Sequence, residues 1–282
     1  MFERIVVSLQ YLLPARALTV LAGKLAGWRG GGVTRALIAA FARRYRVNMG
    51  EALEPDVCAY ATFNDFFTRA LRTGARPLAT ADLVCPVDGA VSQLGAIDGE
   101  RIFQAKGHHY SALALLGGDA GLAARFENGS FATIYLSPRD YHRIHMPVAG
   151  RLVKMIYVPG SLFSVNPATA RHIPGLFARN ERVVCVFEGE RGPFVLVLVG
   201  ATIVGSMATV WHGVVNPPRP GAIRQWDYDA QGLELAQGAE MGRFLLGSTV
   251  VMLFPQPGVR FAPEWTAARP VRMGEAMAAW GV

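Results

Sequence analysis

Pro193-Phe-Val-Leu-Val-Leu-Val-Gly200-Ala-Thr-Ile-Val-Gly205-Ser-Met-Ala-Thr-Val-Trp211 is a run of 19 residues without a charge. On length alone it could cross a bilayer as a helix. Its composition argues against that. Val195, Val197, Val199, Thr202, Ile203, Val204, Thr209 and Val210 are β-branched, and Gly200 and Gly205 cut the run into strand-sized pieces. The stretch reads as two buried strands. It sets the expectation for the chain around it.

Working outward, the same texture extends both ways. From about Pro77 onward Gly and Pro punctuate short β-branched runs. Strands are expected at Arg101–Ala105, Ala132–Leu136, Leu152–Val158, Arg182–Glu188, Phe194–Val199, Ile203–Val210 and Phe244–Phe254. Their spacing predicts a mostly antiparallel β core. Upstream the period changes to that of a helix. Thr62–Leu71 carries Phe63, Phe66, Phe67 and Leu71 on one face, behind a Thr62/Asp65 helix-start signature. Residues 1–48 read as helices with apolar stripes at Ile5–Leu13, Leu18–Leu25 and Val33–Tyr45, the last two separated by Gly30, Gly31 and Gly32. The fold class is therefore α+β. A basic amphipathic helical N-terminus, residues 1–74, precedes a mostly antiparallel β-rich domain, residues 75–282.

Charge marks the same boundary. The chain of 282 residues has a formal net charge of +7. Residues 1–50 hold eight basic residues against the single acid Glu3, while the 20 bases and 20 acids of the remainder cancel. Basic helices of this kind lie on anionic lipid, each Lys or Arg contributing about 1 kcal/mol near the surface. No N-terminal run reaches spanning length, and Arg16 and Lys24 spoil a signal-peptide reading. The alternative is a helical cap packed on the rest of the chain. Aromatic stacking groups and a broad basic face are both missing, which argues against nucleic acid. An apolar share of 51%, a charged share of 17% and a mean hydropathy of +0.25 exclude a disordered or fibrous chain. Cys58, Cys85 and Cys185 lie far apart, which suits neither a disulfide framework nor a zinc ribbon.

Several common catalytic signatures are absent: no GxSxG, no phosphate loop of the GxxxxGK[ST] form, no HExxH and no GxGxxG after a strand. Three smaller constellations remain. Pro86-Val87-Asp88-Gly89 reads as a turn, or as a carboxylate that orients a histidine. Tyr141-His142-Arg143-Ile144-His145-Met146-Pro147 holds two histidines three apart. They suit a metal only with a third ligand, which the neighbourhood lacks; with an Asp to hold the tautomer they suit acid–base work. Leu246-Gly247-Ser248-Thr249 interrupts an apolar strand with small residues. It reads as a bulge, or as a strained peptide whose carbonyl the next hydroxyl can reach. The Asp-His-Ser order also suits a serine hydrolase, which would keep its serine.

At these residues the chain resembles the phosphatidylserine decarboxylase family, of the bacterial, membrane-associated type. The resemblance runs through Pro86–Ala90, Tyr141–Pro147, Tyr157–Gly160, Leu162–Asn166, Leu176–Arg182, Val199–Thr202 and Gly242–Phe244 leading into Leu246–Thr249, and covers nearly all of residues 60–255. It implies a zymogen that makes its own cofactor, a pyruvoyl group, by autocatalytic cleavage. Carried over, the cut falls between Gly247 and Ser248, giving a β chain 1–247 and an α chain 248–282. Asp88, His145 and Ser248 then occupy the family's triad. His145, held by Asp88, takes the Ser248 hydroxyl proton, the alkoxide attacks the Gly247 carbonyl, and Ser248 ends as the pyruvoyl group. The resemblance further implies a lyase that forms a Schiff base with the amine of phosphatidylserine and releases phosphatidylethanolamine. His142 is the candidate for proton handling in that step, and the two histidines can exchange roles. The expected partners are phosphatidylserine, an anionic membrane surface and the two processed chains, with a homodimer of heterodimers through the apolar helices. The expected location is peripheral, on the cytoplasmic face of the cell membrane. No metal is implied.

Overall fold

Two helices with little buried surface lead the described part of the chain. The structure is a computed structural model, and it describes residues 7, 10, 11, 13–203, 206–217, 219–247 and 249–281. Most of the stripe Ile5–Leu13 and all of Ser248 lie outside the described residues. Helix α1 (Ala15–Ala26) buries only Thr19 and Ala26, and α2 (Gly32–Tyr45) only Thr34 and Ile38. Leu21 and Leu25 of α1 and Val33 and Leu37 of α2 stay more than half exposed. Among the described residues no helix is long and apolar enough to cross a membrane.

What holds the helices is local. Thr19 Oγ1 accepts the Ile203 N–H at 3.1 Å, tying α1 to the loop after Val199. Ile38 packs with Phe63, Phe66 and Phe67, and Phe41 meets Phe63 edge-on with ring centroids 5.0 Å apart. Those phenylalanines sit on α3 (Phe63–Phe67), whose capping box is formed as expected: Asp65 N–H donates to Thr62 Oγ1 at 3.0 Å, and Thr62 N–H to Asp65 Oδ2 at 3.1 Å.

The rest is sheet. In chain order the strands are β1 (Leu83–Val84), β2 (Gly89–Ala96), β3 (Arg101–Ala105), β4 (His108–Ser111), β5 (Ser130–Tyr135), β6 (Arg143–His145), β7 (Gly150–Val158), β8 (Arg182–Gly189) and β9 (Gly192–Val199). Then come β10 (Met207–Thr209), β11 (Gly213–Val214), β12 (Arg224–Asp227), β13 (Glu234–Leu235), β14 (Glu240–Phe244), β15 (Thr249–Phe254), β16 (Val259–Phe261), β17 (Pro270–Val271) and β18 (Ala276–Trp280). A nine-stranded sheet runs β12-β7-β8-β9-β15-β5-β2-β17, with β13 also on β7. A four-stranded sheet runs β11-β10-β14-β6. Every pairing of named strands is antiparallel, as the spacing predicts.

The large sheet is buried on both faces. Val250, Met252 and Phe254 pack with Leu196, Leu198 and Ile134 on one side; Val251 and Leu253 pack with Val195, Val197 and Val199 on the other. A strand covered on both faces has no polar alternation, which is why Pro193–Val199 could be mistaken for a membrane helix.

Two expected strands differ. Ile203–Val210 contracts to β10, because Ile203 belongs to the loop bonded to α1. Phe244–Phe254 is not one strand. β14 ends at Phe244 in the four-stranded sheet, and β15 begins at Thr249 in the middle of the nine-stranded one. Phe244 N–H donates to His142 O at 3.0 Å and Leu245 N–H to Ser206 O at 2.9 Å before the chain leaves. Leu246 then takes φ +153°, a conformation that branched L residues avoid. Leu246 and Gly247 thus lie at the crossing between two sheets rather than in a bulge within one.

Candidate active site

The site assembles around that crossing. Gly247 lines an apolar cavity of about 250 Å³ with Phe41 of α2, Phe67 of α3, Tyr135 at the end of β5, Val165, Ala201 and Ile203. Helices and sheet both contribute to its wall.

His142 comes to Gly247 from the loop between β5 and β6. Asp140 Oδ2 accepts from Ser137 N–H and from Ser137 Oγ, each at 2.7 Å, which curls the loop. The curl aims Asp140 O at His142 Nδ1, 2.8 Å away. A carbonyl only accepts, so Nδ1 carries the proton and Nε2 of the neutral ring keeps its lone pair. The ring is fully buried, with its centroid 4.0 Å from that of Phe67. Burial holds its pKa down to about 3, with the Arg69 charge adding to the effect and the Asp140 hydrogen bond opposing it. Nε2 has no hydrogen-bond partner and lies 3.2 Å from where a Cβ on Gly247 would stand.

His145, on β6, has different partners. Its Nδ1 donates to Gly238 O at 2.8 Å, and its Nε2 accepts from the Tyr141 hydroxyl at 3.0 Å. Burial lowers its pKa against the Gly238 hydrogen bond. His142 is therefore neutral, burial disfavours charge on His145, and backbone carbonyls orient both rings where the sequence suggested a carboxylate.

Asp88 precedes β2. Its carboxylate takes Arg76 Nε at 2.9 and 3.2 Å and the Met273 N–H at 2.9 Å, while Arg76 Nη2 also reaches Glu51 at 2.8 Å. The backbone does bring the two motifs side by side, with His145 N–H donating to Pro86 O at 2.9 Å. No hydrogen bond joins Asp88 to His145 among the described residues. Asp88 and Tyr141 line a polar cavity of about 530 Å³, separate from the apolar one beside Gly247. Ser248 lies outside the described residues. Among the described residues no three His, Cys, Asp or Glu side chains converge as a metal site.

Sequence reasoning missed Arg76, Tyr141 as the partner of His145, and Phe67 as the platform under His142. Arg76 had no signal, since nothing in a sequence couples it to Asp88 twelve residues on. Tyr141 stood inside the quoted motif and could have been suspected.

The fold and site define a β-rich protein in which a buried histidine with an open lone pair faces a glycyl peptide at the crossing between two sheets. Comparison with known proteins supplies the family. A family model described as phosphatidylserine decarboxylase matches residues 63–279, and a second, described as PSD, matches residues 5–46. A phosphatidylserine decarboxylase proenzyme of Methylibium petroleiphilum is 71% identical over 278 residues, 99% of this chain and 98% of that one. That of Albidiferax ferrireducens is 70% identical over 278 residues (99% and 98%), and that of Chromobacterium violaceum 71% over 279 residues (99% and 100%). The chain belongs to the phosphatidylserine decarboxylase family.

Proposed function

We propose that this chain is a proenzyme that cuts itself between Gly247 and Ser248, converts Ser248 into a pyruvoyl group, and decarboxylates phosphatidylserine to phosphatidylethanolamine. Family membership across residues 63–279 supports the reaction. The observation that carries the site is the free lone pair of His142, buried and facing Gly247.

Asp88, His145 and Ser248 carry the self-cleavage in this reading. His145 exchanges its Tyr141 partner for the Ser248 hydroxyl and accepts that proton on Nε2. The serine oxygen attacks the Gly247 carbonyl, an ester replaces the peptide bond, and elimination frees the Gly247 carboxylate. Asp88, already fixed by Arg76, supplies the negative charge that favours the protonated ring.

The pyruvoyl group supplies an electron sink for the carbon–carbon bond that breaks. The residues around 248 fit such a group: a small apolar cavity, a neighbour without a Cβ, and an unpartnered ring nitrogen. Phe41, Phe67 and Val165 keep water out. His142 holds or moves a proton at Nε2 during decarboxylation.

A diacyl lipid keeps its tails in the bilayer, so the enzyme must reach the headgroup from the surface. Residues 1–74 serve as the membrane-binding region and 75–282 as the catalytic domain. The exposed leucines of α1 and the basic residues of the N-terminus favour a peripheral position on the anionic, cytoplasmic face. Phe41 and Ile203 connect the helices to the cavity wall.

Intact mass under denaturing conditions is the test. Wild-type protein should give two chains broken after Gly247, the smaller without a free amine. Ser248→Ala should give one. Purified protein that decarboxylates phosphatidylserine as a single unbroken chain would overturn the proposal.

A further inference from the structure

Thr249 opens β15 and is fully buried, and its hydroxyl has no hydrogen-bond partner. Strand alternation puts its side chain on the face of Val251 and Leu253, beside Val199, its cross-strand neighbour on β9. Valine has the same shape and would fill that face without a stranded hydroxyl, so the threonine is unfavourable for stability alone.

The position of Thr249 explains its hydroxyl. Tyr135 is its cross-strand partner, and Tyr135 and Gly247 line the same cavity. The carbonyl attacked in self-cleavage belongs to Gly247, two residues upstream. A donor that is idle in the ground state and finds its acceptor only as charge develops is what electrostatic preorganisation requires.

We propose that the Thr249 hydroxyl is an oxyanion donor in self-cleavage, giving a hydrogen bond to the Gly247 carbonyl oxygen as that oxygen becomes negative. In the step, the Ser248 O–H bond breaks and its proton goes to the base. The serine oxygen bonds to the Gly247 carbonyl carbon, whose π pair moves onto oxygen. Collapse breaks the carbon–nitrogen bond, the nitrogen takes the proton, and an ester and a free amine remain. Thr249 donates throughout and is not consumed. The inference rests on cleavage at Gly247–Ser248.

The experiment follows processing of freshly translated full-length chain by denaturing mass. Thr249→Val should slow the appearance of the two fragments about 100-fold, the loss that follows removal of one such donor. Thr249→Ser, which keeps the hydroxyl, should stay within about threefold of wild type. In the uncleavable Ser248→Ala background, Thr249→Val should melt at or above its parent, because it removes a stranded polar group. Wild-type processing in Thr249→Val would overturn the inference, as would equal slowing in both variants or a lower melting temperature for the double variant. A break at any other bond would instead sink the cleavage reading itself.

Discussion

His142 Nε2 and Gly247 face each other, 3.2 Å separating the ring nitrogen from the Cβ position that the glycine leaves empty. The Nδ1 hydrogen bond to Asp140 O and the Phe67 ring below leave the imidazole little freedom to retreat.

Gly247→Ala therefore forces that ring back by a few tenths of an ångström. The fold should survive, because the cavity lies on one side. Self-cleavage should slow about tenfold, since the added Cβ pushes against His142 and displaces the Gly247 carbonyl that is attacked, and misplacement of reacting groups by up to 1 Å costs up to about 100-fold. The rate of fragment appearance by mass decides it, and cleavage at the wild-type rate would refute the contact's importance.

Acid should weaken the fold through the two buried histidines. Both pKa values lie below the unfolded value near 6.5, that of His142 at about 3. Below pH 6.5 the unfolded chain binds protons that the folded chain refuses, so stability is full above that pH and falls as pH drops toward the folded values. The slope reaches at most about 1.4 kcal/mol per pH unit for each histidine. Urea unfolding of Ser248→Ala between pH 7 and 4 measures it. Adding His142→Gln should remove one histidine's share, and an unchanged slope would contradict the burial account.

Arg76→Met leaves the Asp88 carboxylate buried with only the Met273 N–H as a hydrogen-bond donor. Breaking such a pair costs about 3–5 kcal/mol. The side chains of Arg76 and Asp88 are 6% and 9% exposed, so screening by water is slight. Chemical denaturation in the Ser248→Ala background should show the loss. A change below about 1 kcal/mol, the range of exposed pairs, would mean that water reaches Asp88 freely.

Leu21→Asp combined with Leu25→Asp should release the protein from anionic vesicles. Each exposed leucine that inserts contributes about 1.5–3 kcal/mol, so the pair should lower the partition coefficient by well over tenfold. Sedimentation with vesicles of anionic lipid reads this, and raised salt should weaken wild-type binding too. Equal binding of variant and wild type would move the membrane contact elsewhere.

Period and composition made most elements readable. The Thr62/Asp65 cap and the β-branched runs of β7, β8 and β9 are local signals and formed nearly where expected, whereas the helix expected over Thr62–Leu71 stops at Phe67 and leaves Leu71 in a bridge to Ala52. The failure at Phe244–Phe254 has a physical cause. An apolar run continuing through Leu245 and Leu246 looks like one strand, but two sheets claim its halves, and pairing partners are not written in a local period. His142 illustrates the same limit from the other side. Arg139, Asp140 and Arg143 around it suggest a polar setting, yet the ring is fully buried against Phe67, contributed from 75 residues upstream.

By itself the sequence determined the residue chemistry available: a glycine before a serine, two histidines three apart, an aspartate in a turn, and a basic amphipathic start. These depend on side-chain type and short spacing, which a chain carries whether folded or not. Only the tertiary structure decided their company. It tied Asp88 to Arg76, capped His145 with Tyr141, and turned the open lone pair of His142 toward Gly247. Such pairings join segments distant in the chain, and their geometry exists only after both faces of the central sheet have been covered.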